Sequence, residues 1–210
     1  MFIDNITADP AYYFTVVVCV TVSIVLHELG HGFAAIAQGD DTPRESGHMT
    51  WNPVVHMGAM GLGLLCIAGI AFGLMPVDPT RFRSRYGDAI VAAAGPLVNG
   101  VLGIGSLTAL AVLAGQGIDT RVAGVEPLWM MGLLNIVLCL FNLIPIAPLD
   151  GSAVLGNFVP AYRAFLRDPA NTRYSWMAFG VVFLLAGQLF AMGADVAGAY
   201  LGWVMALVQS

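Results

Sequence analysis

Residues 11–37 read AYYFTVVVCVTVSIVLHELGHGFAAIA, an apolar run in which Glu28 is the sole Asp, Glu, Lys or Arg. A helix of about 20 apolar residues crosses the hydrocarbon layer of a bilayer, so this run is long enough to span. The competing reading is a buried core helix of a water-soluble protein, and the rest of the chain excludes it. Of the 210 residues, 58% are hydrophobic and only 10% charged, against about 25% charged in soluble domains. Several further apolar runs follow, too many and too long for one soluble core. The chain is an integral membrane protein, with Tyr12 and Tyr13 as interface anchors at the start of the first span.

The N-terminal MFIDNITADP lacks the basic start and small-residue cleavage site of a secretory signal, so the first span is expected to be retained. The net charge is −5 and the chain contains no Lys. Without a basic stripe to track phosphates, nucleic acid is excluded as a partner. Cys19, Cys66 and Cys139 are odd in number and far apart, each inside an apolar run. They suggest neither a disulfide framework nor a thiolate metal site, and read as small packed hydrophobes.

A polar loop at 38–56 follows the first run, then a Gly-rich apolar stretch at 57–75 that ends at Pro76. An Arg-bearing loop leads to a third apolar run near 89–114, interrupted early by Ala94-Gly95-Pro96. Trp129 opens a fourth run, which closes at Pro145-Ile146-Ala147-Pro148. A polar segment at 150–173 precedes a last apolar region, 174–208. Gly193 and Asp195 are expected to divide that region into two short passes, a C-terminal helical hairpin. With no repeat or soluble module evident, residues 1–210 are read as one membrane domain with its core at 11–160.

Within the first span, His27-Glu28-Leu29-Gly30-His31 forms an HExxH motif. Positions i and i+4 lie one above the other on a helix, so both imidazoles can face one metal ion. Glu28, beside them, is placed to take a proton from a water that zinc has acidified to a pKa of about 7. A chance match on a packed helix is the bland alternative. The membrane argues against it, because an acid at mid-span costs roughly 2.5–3.5 kcal/mol on insertion scales. A catalytic zinc site usually takes three protein ligands. His48 and His56 are the remaining histidines, and among the acids Asp150 stands out, directly after an uncharged span in Asn142-LIPIAPL-Asp150-Gly151. Pro145 and Pro148 cannot continue a regular helix, and unwound backbone at membrane depth is tolerated where it lines a wet cavity. Asp150 is therefore well placed to be a ligand, its alternative being a surface Asp in a turn.

HELGH in an early span, Ala94-Gly95-Pro96-Leu97-Val98-Asn99 in a middle one and NLIPIAPLDG after a later one occur in an order that resembles the site-2 protease family of intramembrane metalloproteases. The segment GHMTWNPVVH (47–56) is also similar to one found after the zinc helix in a compact bacterial subgroup without PDZ or CBS domains. That subgroup usually has Arg in place of His48, and a Trp-Ala-Lys-Pro-like stretch in place of Gly73-Leu74-Met75-Pro76. The resemblance implies one Zn2+ held by His27, His31 and Asp150, with Glu28 as catalytic base. It implies a substrate-binding part for Asn142. His56 is divided between substrate binding and a merely solvated loop histidine, and His48 is left out. The Gly95-Pro96 break with Asn99 reads as helix packing and shape rather than chemistry.

The implied activity is a zinc metalloendopeptidase that hydrolyses peptide bonds of membrane-anchored protein substrates. The rivals are a metal-ion transporter, which would place ligands along a path where this chain has one cluster, and a catalytically inactive membrane scaffold, which the complete catalytic set disfavours.

For His27, His31 and Asp150 to reach one ion, the first and fourth runs must point the same way. The simplest solution is that 57–75 dips in and returns while 89–114 crosses. Arg44, Arg81, Arg83, Arg85, Arg163, Arg167 and Arg173 then share one side and Arg121 lies on the other. The positive-inside rule makes the Arg-rich side cytoplasmic and opens the active site toward it. The expected fold is an all-α polytopic membrane protein in a bacterial cytoplasmic membrane. It has about five to six transmembrane helices, a re-entrant Gly-rich segment and a short loop or β-hairpin after the zinc helix. Its Gly-rich runs can pack within one chain or between chains, which leaves oligomeric state open.

Overall fold

The structure, a computed structural model, describes residues 2–118 and 125–208. Helix α1 (Pro10–Ala37) starts where the Asp9 carboxylate accepts the Tyr12 N–H at 3.0 Å and Pro10 supplies a preset φ. Helix α2 (Pro53–Ala68) is capped by Asn52 and stopped by Gly69 at φ 73°, a left-handed conformation that favours glycine. Then come α3 (Gly87–Gly115), α4 (Glu126–Asn142), α5 (Asp150–Phe158), α6 (Pro160–Arg167), α7 (Thr172–Leu184) and α8 (Ala186–Val208). Helices α1, α3 and α8 are long and apolar enough to cross a membrane, and α2 and α4 are shorter apolar helices. No strand occurs among the described residues, so the zinc-helix loop takes the loop form rather than the hairpin.

Contacts fix the directions. His27 and His31 of α1 meet Asn99 and Val91 of α3, so these helices are antiparallel. Cys19 and Ser23 meet Pro127 and Met131, so α1 and α4 run parallel, the direction expected if His27, His31 and Asp150 are to reach one ion. Between them the Gly-rich segment turns back. Tyr13 Oη donates to the Cys66 carbonyl near the far end of α2. The returning chain then brings the Leu74 N–H to within 2.9 Å of the His56 carbonyl at the start of α2.

Lipid tails are as apolar as leucine, so close packing and polar contacts hold such helices together. Gly103 lies against Ile136, Gly132 against Leu107 and Gly193 against Val137, each leaving no room for a side chain. Leu107, Leu133 and Ala197 form a buried cluster beside them, and Tyr200 Oη bonds Thr108 Oγ1 at 2.8 Å.

The C-terminal region departs from expectation. The chain turns at neither Gly193 nor Asp195, because Gly193 serves close packing on Val137 and Asp195 points outward from α8. The interruption is at Leu185, whose N–H still donates to Val181 O and whose carbonyl still accepts from Leu189 N–H, each at 3.1 Å. Helices α7 and α8 therefore form one bent helix, not a hairpin. Of the arginines used to orient the chain, Arg121 lies outside the described residues.

A carboxylate knots the loops on the Arg-rich side. Asp40 is fully buried. Its Oδ1 accepts from Thr42 N–H and Oγ1, and its Oδ2 accepts the Asp78 N–H at 2.7 Å. Burial alone would push this carboxyl up. The Thr42 hydroxyl, the Asp78 and Thr42 N–H groups and the nearby Arg81 outweigh it and hold it below the usual carboxylate range.

Candidate metal centre and active-site cavity

The HExxH turn of α1 faces α3, and two glycines permit the approach. A Cβ on Gly30 would lie 2.9 Å from the Val98 side chain and 3.1 Å from the Ala94 carbonyl. A Cβ on Gly95 would lie 2.6 Å from His27 Nε2 and would collide with His31 Nε2. Each imidazole is anchored through its Nδ1. His27 Nδ1–H donates to Asn99 Oδ1 at 2.6 Å, and His31 Nδ1–H to the Val91 carbonyl at 2.7 Å. A carbonyl only accepts, so both rings carry the proton on Nδ1 and turn a lone pair at Nε2 toward the same point. The two Nε2 atoms are 3.0 Å apart.

The first turn of α5 brings the third group. The backbone of Leu143 and Ile144 lies directly against Gly151, where a Cβ would strike both carbonyls. Asp150 thereby reaches the histidines, with Oδ2 3.2 Å from His27 Nε2 and Oδ1 3.5 Å from His31 Nε2. Asp150 Oδ2 is buried without a hydrogen-bond partner. Three sets of acceptor lone pairs thus face one another with no donor between them, which is repulsive unless a cation lies there. Ligands about 2.0–2.2 Å from one tetrahedral ion stand roughly 3.3–3.6 Å apart, close to the separations seen. The residues fit zinc.

Glu28 is buried, makes no hydrogen bond to another described residue, and faces the cavity that contains the cluster. That cavity has a volume of about 900 Å³. Its walls include the returning segment at 71–75, the start of α5, and Trp176 and Phe179 of α7. Gly73 abuts Glu28 so closely that a Cβ there would overlap the carboxylate.

The remaining sequence candidates separate. Asn142 lines the cavity, its amide donating to the Leu138 carbonyl at 3.1 Å. His56 is buried on the first turn of α2, its Nε2–H donating to Thr50 O at 2.8 Å, and it is not among the residues of the cavity wall. His48 is on the exposed loop, bonded to Ser46. Asn99 is more than a packing residue, because its side-chain oxygen holds a histidine of the cluster. Gly95 was legible as part of a packing break and Gly73 as part of a stretch that departs from the subgroup's pattern, but not the imidazoles and the carboxylate that they make room for.

A membrane-embedded chain with an HExxH helix and a distant carboxylate completing a zinc-fitting cluster is a membrane zinc metalloprotease. The family model described as Peptidase family M50 matches residues 120–187, a segment that holds Asn142 and Asp150 but not the histidine pair. The chain is 32% identical over 175 residues to the putative zinc metalloprotease YwhC of Bacillus subtilis (strain 168), covering 80% of this chain and 79% of that one. It is 36% identical to the putative zinc metalloprotease Rip2 of Mycobacterium tuberculosis H37Rv, over 85% of this chain and 70% of that one. The zinc metalloprotease MJ0392 of Methanocaldococcus jannaschii is 26% identical over 88% of this chain, which spans 46% of that longer protein. No solved structure matches. The chain belongs to peptidase family M50, and zinc is its metal.

Proposed function

We propose that His27, His31 and Asp150 hold the zinc ion, that Glu28 is the catalytic base, and that the substrate is a membrane-anchored protein segment cut near the cytoplasmic side of a bacterial cytoplasmic membrane. The observation that carries this is the convergence of two Nε2 atoms and a carboxylate on one point beside the unbonded Glu28, inside a cavity. When bound, zinc supplies Lewis acidity and makes hydroxide accessible near neutral pH. Glu28 accepts the proton of the attacking water and returns it to the leaving amine. Asn142 lines the same wall, and its second amide hydrogen, free of the Leu138 carbonyl, donates to the scissile carbonyl as charge develops on its oxygen. His56, buried off that wall, acts through the returning segment, whose Leu74 N–H its backbone carbonyl holds.

The substrate must present an extended peptide, since a helical amide is shielded and already hydrogen-bonded. The returning segment offers a matching edge. The backbone groups of Ala71, Phe72 and Gly73 make no hydrogen bond within the described residues, so an added strand can pair with them beside Glu28. The core at 11–160 holds the cluster and most of the wall, and Arg167 of α6 with Trp176 and Phe179 of α7 completes it.

The test is Glu28→Gln in the full chain, reconstituted in liposomes with a membrane-anchored substrate. Zinc should stay bound at one ion per chain while cleavage is lost. Cleavage at the wild-type rate would remove Glu28 from the mechanism.

A further inference from the structure

The proton on a zinc-facing histidine is set by a chain of hydrogen bonds that begins two helical turns away. Asn135 of α4 is fully buried and gives its side-chain amide to the Met131 carbonyl at 2.8 Å and to Ser23 Oγ, also at 2.8 Å. Ser23 in turn donates its hydroxyl proton to the Cys19 carbonyl at 2.6 Å and is left as an acceptor. A backbone carbonyl cannot donate, so the Asn135 nitrogen must be the atom at Met131 and its Oδ1 must face the other way. That oxygen faces Asn99 Nδ2 at 2.8 Å. The second Asn99 amide hydrogen points at the Ser23 carbonyl, 3.5 Å away. The Asn99 nitrogen is thereby committed as well, and its Oδ1 is turned to His27 Nδ1.

We infer that Ser23, Asn135 and Asn99 form a directional relay that locks His27 in its Nδ1–H tautomer and so keeps Nε2 free for the metal. The inference deepens the proposed metal site and rests on His27 being a ligand. Each link runs from donor to acceptor with no freedom to reverse, because carbonyls of Cys19, Met131 and Ser23 terminate it. The relay ties α1, α3 and α4 together at the level of the histidine. Buried amides with every hydrogen committed are costly to disturb in a bilayer, where no water can replace a lost partner. Asn99 and Asn135 are positioning residues: neither belongs to the ligand cluster, and Asn135 does not touch a ligand.

The experiment uses the full chain in detergent micelles, with zinc affinity from chelator competition and histidine tautomers from 15N spectra of the zinc-free protein. With only four histidines in the sequence, the spectrum is simple to assign. In wild type, His27 should show a protonated Nδ1. A neutral His27 with its only proton on Nε2 overturns the relay without any variant. Asn99→Asp and Asn99→Leu have nearly the same shape and differ in acceptor chemistry. The Asp variant keeps an oxygen for His27 and should hold zinc within a few-fold of wild type. The Leu variant should lose roughly 10–100-fold in affinity, the usual effect of removing a partner of a metal-bound histidine. Asn135→Leu should give mixed His27 tautomers and a loss of about 10-fold, at the lower end of that range. His27→Ala separates the two claims. If it binds zinc as tightly as wild type, the metal assignment itself fails. If it loses zinc while Asn99→Leu and Asn135→Leu keep wild-type affinity and tautomer, the relay is wrong and the metal site stands.

Discussion

Replacing Gly95 by alanine adds one methyl group at the point where both imidazoles converge. The new Cβ would lie 2.6 Å from His27 Nε2 and 2.7 Å from its Cε1, and nearer still to His31 Nε2. An ordinary contact needs about 3.5 Å, so the shortfall is roughly 0.9 Å. Helix α3 cannot retreat by that amount without losing the close packing of Gly30 on Val98 and Ala94. The rings cannot swing away without breaking the 2.6 and 2.7 Å bonds that orient them. Metal–ligand distances tolerate about 0.2 Å of error, well below the displacement required. Zinc affinity should therefore fall about 100-fold or more, near 2.8 kcal/mol at 1.4 kcal/mol per decade. The zinc-free protein should lose at most about 2 kcal/mol, because overpacking of about 1–3 kcal/mol is partly offset by about 1 kcal/mol of helix propensity gained over glycine. The assay is chelator competition and thermal unfolding with and without chelator. Wild type should lose stability when zinc is removed, and Gly95→Ala should be indifferent. A Gly95→Ala protein with one tightly bound zinc would refute the packing argument.

Two other substitutions probe the surroundings. Gly73→Ala should leave zinc bound but push the Glu28 carboxylate off its position, lowering kcat about 100-fold, the order expected for an ångström of misplacement; unchanged kcat with bound zinc would show that the returning segment yields freely. Asp40→Ala leaves the Thr42 and Asp78 N–H groups without their acceptor, so it should cost about 2–3 kcal/mol and expose the loops to protease. Because the folded Asp40 carboxyl titrates below its unfolded value, its contribution is present above the unfolded pKa and is lost as pH falls through the folded one. Protease resistance of these loops should accordingly weaken in acid in wild type and show less pH dependence in Asp40→Ala.

The membrane class, the succession of apolar helices and the HExxH pair were legible in the sequence because each depends on local rules. Run length measures a helix against a bilayer, and spacing of four residues puts His27 and His31 on one face whatever surrounds them. Parity of direction also followed, since the demand that α1 and α4 run parallel came from the chemistry of a shared ion. The last region misled because Gly193 and Asp195 carry the composition of a turn. In a bilayer a glycine as often marks close helix contact, and only the approach of Val137 distinguishes the two.

By itself the sequence determined that this is a helical membrane protein with two imidazoles and an acid on one turn of its first span. Only the tertiary structure decided that Asp150 comes within 3.2 Å of His27, that Asn99 orients that histidine, and that Gly73 and Gly95 leave room for Glu28 and the imidazoles. Those relations join residues dozens of positions apart, and no spacing rule links them. A buried asparagine has the same letter whether it fills space or holds a proton in place, and its partners become visible only when three helices are brought together.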